Sequence, residues 1–187
     1  MKKSNTELSD LIEGCKENNR SCQRQIYERL YSPMMGACLR YANDRQEAAD
    51  ILQDGFMKVF EKIKLYNDDG SFEGWVRRII VNTAIDAIRK RKKEFLTDDT
   101  TPYQDTSEDD TEDVSKYSGI GLNDVVDAMH LLSPMYRAVF NAYVMDGLTH
   151  QEIADDMGIT VGTSKSNLSK ARARIKEILM RKIERNE

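Results

Sequence analysis

THQEIADDMGITVGTSKSNLSK, Thr149 to Lys170, is the stretch whose reading decides the fold. Thr149 is placed to cap a helix, and Glu152, three residues on, completes a reciprocal capping box. Ile153, Ala154 and Met157 follow as an apolar stripe at helical spacing. Gly158 stands where a helix end calls for a left-handed residue. Ile159 is the apolar residue of the turn, and Thr160 is placed to cap a second helix starting at Val161. On that helix Leu168, Ala171 and Ile175 are expected to face inward, leaving Lys165, Ser166, Asn167, Ser169 and Lys170 outside. An outer face made of hydrogen-bonding and basic side chains suits the major groove of duplex DNA. A surface helical hairpin would share the caps and the stripe. The order of cap, small residue, turn glycine, second cap and basic-polar face favours a helix-turn-helix.

Composition sets the frame around this stretch. A chain of 187 residues allows one large domain or two small ones. Sparse aromatics and many charged residues, with few glycines and prolines, fit helical bundles better than a sandwich or barrel. No apolar run is long enough to span a bilayer. MKKSNTELSD has two lysines but no apolar core behind them, so no signal peptide is expected and a cytoplasmic protein follows. Cys15, Cys22 and Cys38 are odd in number and lack the close pairs of a zinc site, and His130 and His150 are distant in sequence. They read as small apolar residues or surface thiols, and neither a metal nor a cofactor is expected.

Upstream, the apolar period predicts four helices. Thr6 to about Cys15 places Leu8, Leu11 and Ile12 on one face. Cys22 to Tyr41 carries Ile26, Leu30, Met34, Cys38 and Tyr41, with a kink or restart expected at Pro33. Arg45 to Ile63 buries Ala48, Ile51, Leu52, Phe56, Val59, Phe60 and Ile63, and its other face offers Asp50, Gln53, Asp54 and Lys58. After the turn Asn67-Asp68-Asp69-Gly70, a long stripe from Phe72 through Trp75, Ile79, Ile80 and Ile85 to Ile88 ends in the basic run Arg89 to Lys93. Trp75 reads as a core anchor rather than a base-stacking residue.

Thr97 to Ser118 changes character, with eight acidic residues opposed only by Lys116. So few apolar residues cannot repay the entropy of ordering, which predicts a flexible acidic linker. The net charge of −4 belongs to it; the rest of the chain is net positive. Beyond it, Leu122 to Leu132 reads as a helix, Ser133-Pro134 as a cap with a first-turn proline, and the next helix stops at Asp146-Gly147. The second helix of the helix-turn-helix continues toward Ile183. The expected fold is all-α: a domain over 1–95, a linker over 96–119, and a helix-turn-helix domain over 120–187.

Three stretches carry a resemblance to a known family: EAADILQDGFMKVFEKI (Glu47–Ile63), FEGWVRRIIVNTAIDAIRKRK (Phe72–Lys92) and LSPMYRAVFNAYVMDGLTHQEIADDMGITVGTSKSNLSKARARI (Leu132–Ile175). Together, and in this order, they resemble the extracytoplasmic-function (ECF) group of bacterial sigma factors. The resemblance implies that Asp50, Gln53, Asp54 and Phe56 bind core RNA polymerase, with Phe56 as an exposed anchor. The alternative is that Phe56 is core. It implies that Asn82 and Asp86, one helical turn apart, with Arg77, Arg78, Arg89 and Lys90, recognise and open the −10 promoter element. Asn82 reads alternatively as a buried structural amide. The loop from Asn67 to Gly74 would border a pocket for a flipped base. At the −35 element the resemblance points to Thr149, Thr163, Lys165, Ser166, Asn167, Ser169, Lys170 and Arg172. Ser164 replaces the valine usual in the family's pattern, which predicts looser packing under the recognition helix. Promoter DNA and core polymerase are the implied partners, with an anti-sigma factor as controller; the linker would thread toward the RNA exit path or remain a solvated tether.

No nucleophile-base pair, metal-ligand cluster or phosphate-cradling loop appears, so an enzyme is not expected. Two other classes remain: a DNA-binding regulator acting without polymerase, and a polymerase-binding protein that does not touch promoters.

Overall fold

The computed structural model describes residues 2–94 and 120–186. The acidic stretch Thr97–Ser118, expected to be a flexible linker, lies outside the described residues. Among the described residues all regular structure is helical, and contacts divide the chain into two compact units, Met1–Ala87 and Ile88–Glu187.

The first unit comprises α1 (Lys2–Lys16), α2 (Arg20–Tyr41), α3 (Arg45–Lys62), a 3-10 turn (Ile63–Leu65) and most of α4 (Phe72–Glu94). Its helices start where side chains supply the missing backbone partners. Asn19 accepts from the Ser21 and Cys22 amides, and Asp44 accepts from the Glu47 amide at 2.8 Å. Glu47 returns the favour by accepting from the Asn43 amide. The core is the predicted stripes meeting: Ile26, Met34, Tyr41, Leu52, Val59, Ile63, Val76, Ile80 and Ile85 are all essentially buried. Gly55 lets α3 and α4 approach, since a Cβ there would stand 2.4 Å from the Ile80 Cδ1.

No helix restart occurs at Pro33, and α2 is one helix from Arg20 to Tyr41. The proline forfeits one backbone hydrogen bond. Leu30, Met34, Met35, Ala37, Cys38 and Tyr41, buried on both sides of it, hold the helix through. The thiols of Cys15 and Cys38 are buried, which pushes them up to about 11 and about 12. Both therefore stay protonated and pack as small apolar groups.

The second unit comprises α5 (Leu122–His130), α6 (Pro134–Phe140), a π-helical turn (Asn141–Met145), α7 (His150–Met157) and α8 (Val161–Asn186). Ser133 caps α6 with Pro134 in its first turn, as the sequence predicts. The helix predicted to run on to Asp146 instead widens after Phe140, where the Asp146 amide reaches the Asn141 carbonyl. Ala128, Met129 and Leu132 pack against Ala171, Ile175 and Leu179, so α8 is the spine against which α5 is laid. Lys182 of α8 also pairs with Asp124 of α5, holding that carboxyl below its ordinary range.

Candidate partner and nucleic-acid interfaces

On α3, Asp50, Gln53 and Asp54 are exposed on one face, with Gln46 donating to Asp50 at 3.4 Å. Phe56 does not join them. It is only 3% exposed, with its ring edge-on to Tyr27 of α2 at 4.7 Å and Phe60 beyond it at 6.0 Å. The exposed-anchor reading of Phe56 is thus corrected: one turn after Leu52, it points into the α2–α3 contact. The apolar residue of the acidic face is Met57, 56% exposed and three and four residues from Asp54 and Gln53. Sequence reasoning passed over it, although the same i+3/i+4 arithmetic places it there.

The loop before α4 is shaped by its own polar groups. Tyr66 donates its hydroxyl to the Gly70 carbonyl at 3.0 Å, Asn67 donates to Asp69, and Gly70 takes a left-handed φ of 85°. Ser71 then accepts from the Gly74 amide to open α4. Tyr66, Phe72 and Trp75 form an aromatic cluster with centroids 5.1 to 5.9 Å apart. Trp75 is thereby packed against Tyr66 and Phe72, but it is half-buried at the edge of the core rather than a fully buried anchor. The loop walls a cavity of about 570 Å³ whose lining includes Leu8, Ile12, Arg29, Asp68, Ser71 and Glu73.

Along α4, Arg78, Arg89 and Lys90 are exposed and Arg77 is half-buried. Asn82 and Asp86 lie one turn apart and are both half-buried. The Asn82 side-chain oxygen is buried, as the structural-amide alternative expects, but it has no protein hydrogen-bond partner. Asp86 accepts from Lys58 of α3 at 3.3 Å.

The helix-turn-helix has the local chemistry read from its sequence. Thr149 and Glu152 form the capping box, Gly158 closes α7 at φ 65°, and Thr160 accepts from the Thr163 amide at 3.0 Å. Leu168, Ala171 and Ile175 are buried as predicted. The outer face differs. Ser166 and Asn167 are each only 8% exposed, so the expectation that they face outward is corrected. Asn167 sits three residues after Ser164 and four before Ala171, on the flank of the inward stripe; the helical period alone does not account for Ser166. Thr163, Lys165 and Arg172 are exposed, and Ser169 and Lys170 are half-buried. Thr149 is exposed, but its hydroxyl is engaged with Glu152 at 2.9 Å.

Ser164 is fully buried. Its hydroxyl lies 2.9 Å from His150 Nδ1, joining the first turns of α7 and α8. The His150 ring stacks on Tyr143 of the π-helical turn, centroids 4.5 Å apart. Burial, followed by the charges of Lys165 and Arg172, holds the imidazole below its ordinary value of 6.5. His150 was legible only as a histidine without metal-ligand spacing; its partner is fourteen residues away.

Two helical units, one with an exposed acidic face and a long polar-basic helix and the other a helix-turn-helix, have the architecture of a DNA-binding protein. Residues 26–94 match the family model for Sigma-70 region 2, and residues 122–175 match that for Sigma-70, region 4. The chain belongs to the sigma-70 family, within its ECF group of RNA polymerase sigma factors. It is 29% identical over 161 residues to the ECF sigma factor SigE of Mycolicibacterium smegmatis, covering 83% of this chain and 59% of that one. It is 24% identical to the sigma factor SigZ of Bacillus subtilis (82% and 85% covered) and 25% identical to the ECF sigma-E factor of Haemophilus influenzae (88% and 91% covered). The chain therefore spans under two thirds of the SigE relative's length and most of the other two. In fold it is similar to the sigma factor RpoE of Bartonella quintana, solved in complex with the anti-sigma factor NepR. That match has a TM-score of 0.52 at 23% identity, with 83% of this chain and 95% of the other covered.

Proposed function

We propose that the chain directs core RNA polymerase to promoters by a two-point grip, without chemistry of its own. The observation that carries this reading is the presence of both the exposed Asp50–Gln53–Asp54–Met57 face on α3 and the exposed Lys165–Arg172 face on α8. The first offers polar groups around an apolar side chain, the composition of a protein-docking patch. The second offers hydrogen-bonding and cationic groups on the helix that enters the groove in helix-turn-helix proteins.

Between these contacts, α4 is the strand-capturing element. Asn82 and Asp86 stand one turn apart on it, with Arg77, Arg78, Arg89 and Lys90 to hold phosphates. The cavity behind the 67–74 loop lies near Phe72, ten residues from Asn82 and so about 15 Å along the helix. The loop cavity and the Asn82–Asp86 face therefore serve different nucleotides of one opened strand. Extruding a base costs a few kcal/mol, which capture must offset.

Among the described residues no helix is long and apolar enough to cross a membrane. We place the protein in the cytoplasm with polymerase, controlled by a protein of the anti-sigma kind, as the RpoE relative is held by NepR. The reading is tested by transcription with purified core polymerase. Promoter-specific initiation that depends on the chain supports it, and duplex binding that needs no polymerase favours a free-standing regulator.

A further inference from the structure

We propose that His150 is a positioning residue for the recognition helix α8, and that docking of α8 on duplex DNA is coupled to uptake of a proton by this imidazole. The proposal rests on α8 being the duplex-reading helix. Ser164 lies in the first turn of α8, fully buried, with its hydroxyl 2.9 Å from His150 Nδ1. Lys165 is the next residue, so fixing the azimuth of Ser164 fixes the direction in which Lys165 leaves the helix, about 100° further round. The ring cannot swing freely, because Tyr143 stacks on it at 4.5 Å with planes 21° apart. Three elements, the π-helical turn, α7 and α8, thus meet at one imidazole.

The groups facing that imidazole make its protonation sensitive to what α8 touches. From α8 come the Ser164 hydroxyl and the charges of Lys165 and Arg172; from the π-helical turn comes the Tyr143 phenol ring. On its own helix, Glu152 is turned to Thr149. In the free protein, burial and the two cations disfavour the imidazolium. Phosphates brought to Lys165 and Arg172 cancel the repulsion from those cations and favour it. The complex then binds more protons than the free chain, so affinity for the duplex rises as pH falls through the window below 6.5. The contact with Ser164 survives, since the imidazolium donates from Nδ1 to the hydroxyl oxygen.

Holoenzyme reconstituted from core polymerase and the full chain is titrated with a fluorescent promoter duplex at about pH 8 and about pH 6. Wild type, His150→Asn, His150→Ala and Lys165→Ala are compared, so that the pH response of polymerase itself cancels. Wild type is expected to gain roughly threefold or more in relative affinity at the lower pH over His150→Asn. His150→Ala is expected to bind more weakly at both pH values, with His150→Asn recovering part of the loss because its amide can reach Ser164. A His150→Asn holoenzyme that keeps the wild-type pH response overturns the proton coupling. Wild-type affinity in His150→Ala at both pH values overturns the positioning role. If His150→Ala does not fold, the pH response of His150→Asn still decides the coupling, and its affinity at about pH 8 against His150→Leu decides the positioning. Lys165→Ala separates the two layers: unchanged binding there removes α8 as the duplex reader, whereas weakened binding with an unaltered His150→Asn response removes only this proposal.

Discussion

Lys58 of α3 holds Asp86 of α4 through a 3.3 Å ion pair, joining the helix that carries Asp50, Gln53 and Asp54 to the helix that carries Asn82. Both side chains are a little over a third exposed, so the pair is worth at most about 1 kcal/mol to the fold. Its consequence is electrostatic. On the proposed reading of α4 as a DNA-facing helix, phosphates repel the Asp86 carboxylate, and Lys58 offsets that charge.

Lys58→Ala is therefore expected to reduce promoter opening several-fold while changing unfolding stability by less than about 1 kcal/mol. The double variant Lys58→Ala/Asp86→Asn should recover opening. Transcription from a single promoter, set beside thermal unfolding, checks this; a double variant no better than Lys58→Ala contradicts it.

In the proposed docking face, Asp54 supplies charge and Met57 the apolar anchor. Asp54→Arg and Met57→Ser should each weaken core-polymerase binding with the helical content unchanged, both side chains being exposed. Binding by fluorescence anisotropy with labelled chain measures the loss. Normal binding by a folded Met57→Ser chain would remove the anchor from this face.

Phe56 predicts the opposite pattern. Packed against Tyr27 and buried, Phe56→Ala should cost about 3–5 kcal/mol of stability. Gly55→Ala, which drives a Cβ toward Ile80, should cost roughly 1–3 kcal/mol. Denaturant unfolding reads both, and a Phe56→Ala chain of wild-type stability would restore the exposed-anchor role.

The pH dependence of the fold carries a defined sign. The His150 imidazole is held below its ordinary 6.5, so above that value it is neutral in both folded and unfolded chains and its contribution is fully present. As pH falls below 6.5 the unfolded chain takes the proton first, and stability drops. His150→Asn should flatten this part of the unfolding profile; an unchanged profile would assign the drop to another group.

Local chemistry explains what was legible in the sequence. Thr149, Glu152, Gly158, Thr160 and the Ser133-Pro134 pair act through partners one to four residues away, so their roles could be read from spacing. Phe56 was ambiguous because the α3 stripe and the acidic motif both claimed it, and only Tyr27 across the α2–α3 contact decides. Ser166 and Asn167 failed for a related reason: residue type suggested a wet face, while burial is fixed by the packing around α8. The restart expected at Pro33 does not occur because tertiary burial on both sides outweighs one lost hydrogen bond. The π-helical turn and the His150–Ser164 contact have no short-range signature at all.

The most direct test of the two-point grip is start-site mapping in transcription reactions containing core polymerase, genomic DNA and the chain, with Asp54→Arg and Lys165→Ala alongside. The grip predicts discrete chain-dependent start sites, lost with Asp54→Arg and, at promoters with an intact −35 element, reduced with Lys165→Ala. Start sites identical with and without the chain, or unaffected by both substitutions, would contradict it.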